Sequence, residues 1–104
     1  MANTLNGQVD QSVIDGWKKK HTDGIYGVKV EGRIGYFRQP GINDLNYSYS
    51  KTDWDKQLDK WKALADTTFI GGCEEVLSNE RLFISIAPRI QEAAKGYETE
   101  LVNL

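Results

Sequence analysis

The only stretch of this chain with a clear β-pattern is a pair of short runs, residues 25–30 and 33–39, and the second of them ends against Pro40. Ile25, Gly27 and Lys29 alternate with Tyr26, Val28 and Val30, so the last three share one strand face. Glu31-Gly32 supplies a turn with a residue that accepts positive φ. The run after it places Ile34 and Tyr36 on one side and Phe37 on the other. Pro40 has no N–H to give a ladder and pushes Gln39 toward extended geometry, so the second strand stops there. An isolated hairpin is marginal in water. Its apolar face has to be covered by the rest of the chain, and the rest reads as helix. The expected class is therefore α+β: an N-terminal helix and a two-stranded hairpin packed on a C-terminal helical bundle.

The helical half carries its own signals. Asp10 is placed to cap a first helix whose Val13, Ile14 and Trp17 share a face, and Lys18-Lys19-Lys20-His21 complements its C-terminal dipole. Ile42, Leu45 and Tyr49 fall at helical spacing after Pro40. Trp54, Leu58, Trp61, Leu64 and Ala65 make the clearest stripe, opened by Thr52 or Asp53. Phe69 to Leu77 reads as an apolar link pinned to the core, with Gly71-Gly72 as a tight turn. Ser78 or Asn79 then caps a helix that buries Leu82, Phe83, Ile86, Ile90 and Ala93 or Ala94, with Pro88 expected to kink or split it. Gly96 stops this helix. Beyond it, Tyr97, Leu101 and Leu104 form an apolar stripe suited to docking, either back on the domain or on another protein.

A chain of 104 residues holds one ordinary domain. Residues 1–8 are polar and read as a flexible lead-in, leaving a single α+β domain over 9–104. Thirteen basic against fifteen acidic side chains give a net charge of -2. That balance offers no broad field for nucleic acid or an anionic membrane. No run approaches a membrane span or a secretory signal, and the single Cys73 fits a reducing compartment, so a cytoplasmic location is expected.

Catalytic chemistry has little to work with. His21 is the only histidine, and Cys73 stands beside Glu74 and Glu75, a poor setting for a thiolate nucleophile. Gly24, Gly27, Gly32 and Gly35 match no phosphate-binding pattern. The expectation is no catalytic residue, no cofactor and no metal. The basic run Lys18 to His21 with Arg33 and Arg38 leaves a nucleic-acid-associated regulatory protein as the alternative to a protein-binding role.

The strand ending Gly35-Tyr36-Phe37-Arg38-Gln39-Pro40 is followed by a polar helix start, by the turn and acidic pair of Phe69-Ile70-Gly71-Gly72-Cys73-Glu74-Glu75, and by the capped helix Ser78-Asn79-Glu80-Arg81-Leu82-Phe83. This order resembles that of small phage and prophage tail-region proteins related in layout to tail assembly chaperones. The resemblance covers Trp17 to Leu104 and departs at Cys73, where an acidic residue is more usual, and at Pro88. It implies a non-enzymatic helper in the bacterial host cytoplasm that binds tape-measure or tube proteins during virion tail assembly. Partner contacts are then expected at Tyr36, Phe37, Arg38, Trp54, Trp61, Tyr97, Leu101 and Leu104, with self-association through a free hairpin edge as a further expectation.

Overall fold

The computed structural model describes residues 4–50, 57–96 and 99–104. It is an α+β fold in which helices pack on an antiparallel sheet. In chain order the elements are α1 (Gln11–Lys20), β1 (Ile25–Val30), β2 (Arg33–Arg38), α2 (Ile42–Ser50), α3 (Gln57–Thr68), β3 (Phe69–Gly72), α4 (Glu75–Ser78) and α5 (Glu80–Ala93). Trp54 and Tyr97 lie outside the described residues.

The hairpin forms where the alternation places it, with Val30 opposite Arg33 across a two-residue turn. Glu31 and Gly32 both take positive φ, 47° and 71°. This is the handedness that matches strand twist in a tight hairpin.

The sheet, however, has three strands in the order β1-β2-β3, so β2 is central rather than one side of an open hairpin. The apolar link at Phe69–Gly72 is itself a strand. Tyr36 pairs with Gly71 but Phe37 pairs with Phe69, so Ile70 is an extra residue that bulges β3. The bulge brings Phe69 edge-on to Phe37, ring centroids 5.5 Å apart. Gly71-Gly72 is thus part of the ladder, and Cys73 extends it by donating its N–H to the Ile34 carbonyl at 2.9 Å.

The expected lead-in is tied down as well. Asn6 donates to the Gly32 carbonyl and accepts from the Ile34 N–H, at 2.9 and 3.0 Å, forming a parallel bridge to Arg33. Gly7, at φ 92°, lies so close to Cys73 that a Cβ there would collide with the Cys73 backbone nitrogen.

Both faces of β2 are covered. On one face Phe37, fully buried, joins Val28, Leu64, Val76, Phe83, Ile86 and Ile90 in the main core under α3, α4 and α5. On the other face Tyr36 meets Trp17 of α1, ring centroids 5.3 Å apart. Tyr36 is flanked across the ladders by Gly27 and Gly71, and the Trp17 ring lies directly over Gly71. A side chain at Gly71 would occupy the space of the indole.

The helices follow their stripes with four departures. In α1 no residue is fully buried, and Val13 of the expected face is exposed while Ile14 and Trp17 are half-buried. In α2 the buried residue is Ser48, whose hydroxyl donates to the Leu45 carbonyl at 2.9 Å, while Ile42 and Tyr49 of the expected stripe are exposed. The small side chain lets α2 lie close to α3. In α3, Leu64, Ala65 and Thr68 are buried and Leu58 faces outward. In α5, Asn79 caps through its side chain, accepting from the Leu82 N–H at 3.1 Å, and the helix runs through Pro88 as one element. The carbonyl that Pro88 leaves without a helical donor belongs to Ile84, an exposed residue, so water can satisfy it.

The packing of Trp17 on Gly71 gives a direct test. Gly71→Val should destabilise the fold by about 1–3 kcal/mol, because the added side chain displaces the indole. Gly16→Ala, in α1 with nothing within 4 Å of a new Cβ, should instead stabilise by about 0.5–1 kcal/mol. Urea midpoints of the two variants against the parent chain measure both.

Candidate binding groove

An open groove of about 990 Å³ runs along β1. One wall is β1 itself, at Tyr26 to Lys29. The second is the β2–α2 junction from Gln39 to Leu45, and the third is the last turns of α5, from Ser85 through Arg89 to Ala94, with Lys95 and Gly96 at its rim. Three local causes place these walls.

The first is the sheet order, which leaves β1 with β2 on one side only. The tight turn makes Val30 and Arg33 a hydrogen-bonded pair, and pairs then alternate along the ladder. The outer bond from the Gln39 N–H to the Gly24 carbonyl, 3.1 Å, keeps that phase. The backbone groups of Ile25, Gly27 and Lys29 therefore point away from β2, toward the open edge.

The second is a clamp at the β2–α2 junction. Arg38 grips Asp44 with two bonds of 2.6 and 2.8 Å and donates to the Thr67 carbonyl at 3.3 Å. Asp44 also accepts from the Gly41 N–H at 2.8 Å, so one carboxylate caps α2 and joins it to the end of β2 and the end of α3. Hydrogen bonding to Arg38 holds the Asp44 carboxyl below the usual carboxylate range, against a smaller opposing effect of burial. The same bond raises Arg38.

The third is Tyr26, stacked on its cross-strand neighbour Phe37 with centroids 5.5 Å apart. Burial pushes its hydroxyl up to about 12, so it remains a neutral donor at the groove wall.

The expected contact residues divide accordingly. Tyr36 and Phe37 are buried, 6% and 0% exposed, and act as supports rather than contacts. The Tyr36 hydroxyl accepts from the Val9 N–H at 3.3 Å, which ties the entry to α1. Arg38 is committed to Asp44, and Arg33 bonds Glu75 at 3.2 Å and the Glu31 carbonyl at 2.9 Å, so neither joins the lysines of α1 in a basic patch. Trp61 is half-buried beneath the Lys60 ammonium, which also lies over the Tyr49 ring, at 4.5 and 4.8 Å from the two centroids. Leu101 and Leu104 are fully open to solvent, so this segment is not docked on the domain.

The groove itself escaped the sequence reading. Its signal lay in the alternation of Gly27 and Lys29 with apolar residues in β1, but only the strand order reveals which hairpin edge stays free. Among the described residues no three His, Cys, Asp or Glu side chains gather at metal-ligating range, and no helix is long and apolar enough to cross a membrane. Compared with protein-family models, curated proteins and solved structures, the chain finds no match.

The clamp has a pH signature. Because the folded state lowers the Asp44 pKa, its stabilisation is present above the unfolded carboxylate value of about 4 and is lost as pH falls through the lower folded value. Asp44→Asn should cost about 1.5–3 kcal/mol at pH 7, and the gap between variant and parent should narrow toward pH 2–3. Denaturant titrations at both pH values read the difference.

Proposed function

We propose that this protein is a non-catalytic helper of phage or prophage tail assembly, acting in the host cytoplasm by binding another tail protein of the tape-measure or tube type. The reading rests on the resemblance carried by Gly35 to Pro40 and Phe69 to Phe83. The single observation that supports it is the amphipathic surface of α2 and α3, where Tyr47, Tyr49 and Leu58 are 48%, 53% and 47% exposed beside half-buried Trp61. Tyr and Trp anchor interfaces well because each offers a large apolar area with a polar edge and few rotatable bonds. A regulatory protein acting on nucleic acid is the competing reading. It is disfavoured because Arg33 and Arg38 are each held by a carboxylate.

Co-expression with the tape-measure or tube protein of the same phage or prophage tests this. The parent chain should co-elute with one of them, and Tyr49→Ala combined with Leu58→Asp should weaken that association by roughly tenfold or more. Absence of association with either protein at micromolar concentration overturns the reading. Steep weakening by salt, together with binding to DNA, would favour the competitor.

A further inference from the structure

We propose that the open edge of β1 is the seat for segment 99–104 of a second copy of this chain, which adds to the sheet as a fourth strand while its own groove receives the same segment in return. A free edge strand offers backbone donors and acceptors as a template for an extended chain. Here those groups belong to Ile25, Gly27 and Lys29, and the last two line the groove described above.

The segment has the properties of such a strand. It lies in neither helix nor strand, and Leu101, Val102 and Leu104 are 93%, 65% and 119% exposed. It contains no Pro or Gly, so every residue can donate to a ladder. In extended form Val102 and Leu104 share one face, suited to the apolar wall made by Ala93, Ala94 and Leu45.

Charge and position point to the same occupant. Lys95 lies at the α5 side of the groove, where Arg89 and Glu92 already pair with each other at 3.2 Å, and the segment brings Glu100 on the same face as Val102 and Leu104. Lys95 and Gly96 are part of the rim, so the chain departs toward the segment from the mouth of the groove itself. In one copy the segment stands clear of the body. Leu101 and Leu104 make no apolar contact that shields them from solvent. Two copies related by a two-fold axis bring each root beside the other's groove, a closed, self-complementary exchange.

The test uses the purified full chain with no tail protein present, so its outcome is independent of the assembly role. Sedimentation over a concentration series to the submillimolar range should give a dimer. Leu101→Glu with Leu104→Glu, changes on exposed positions, should leave a monomer. So should Lys29→Pro, placed where the lost N–H faces outward. Mixing these two monomers should restore a dimer, because one intact segment and one intact edge remain between them. Hydrogen exchange on the parent chain provides a check that needs no folded Lys29→Pro variant: the Gly27 and Lys29 amides should slow by about tenfold or more on dimerisation. A parent chain that stays monomeric throughout, a dimer that survives the Leu101 and Leu104 changes, or amides of Gly27 and Lys29 that do not slow would each overturn the proposal. Failure of the folded monomers to complement on mixing would overturn it as well.

Discussion

Every layer of the fold is attached to β2. Its backbone is paired on one side by β1 and on the other by β3 and Asn6, and its four central residues, Ile34 to Phe37, are all buried. A strand enclosed on both edges and both faces leaves no polar group for water to compete for. Phe37 then orders the main core under α3 to α5, and Tyr36 orders α1. The glycines in and beside β2 follow from this arrangement. Gly35 turns toward the Val76 side chain in the main core, and Gly71 takes the indole of Trp17 on the opposite face. Larger residues at either place would force the layers apart.

The Arg38–Asp44 clamp extends this order into the helical half. The strand ends where Pro40 removes a donor, and the clamp converts that stop into a fixed angle between β2, α2 and α3. Its two-bond geometry suits a guanidinium, and its partial burial strengthens the pair beyond that of an exposed ion pair. The groove beside β1 is a consequence: α2 is held off the edge of the sheet, α5 covers only its face, and the space between them stays open. The groove and the stability of the fold thus share one set of contacts. Elsewhere, on α2, α3 and segment 99–104, apolar side chains remain in solvent.

Much of this was legible in the residues. Two-residue alternation located both hairpin strands, the Glu31-Gly32 turn set their register, and the Asn79 cap with its apolar stripe located α5 and its buried side. Ile42, Tyr49 and Leu58 stand in solvent although they belong to apolar stripes, because helical spacing reports which side of a helix is apolar, not how closely a neighbour approaches it. Pro88, expected to kink or split α5, lies inside one continuous helix, and the carbonyl it leaves without a helical donor belongs to Ile84 on the solvent side.

The sequence by itself determined the α+β class, the hairpin and the elements that flank it, because periodicity, turn chemistry and capping act over a few neighbouring residues. The tertiary structure alone decided that Phe69–Gly72 is a strand, that residues near Asn6 join the sheet, and that β1 rather than β2 keeps a free edge. Phe69-Ile70-Gly71-Gly72 has too few residues and too many glycines to declare a strand. It becomes one because β2 presents unpaired backbone groups, and burying them unpaired would cost more than ordering four residues against them.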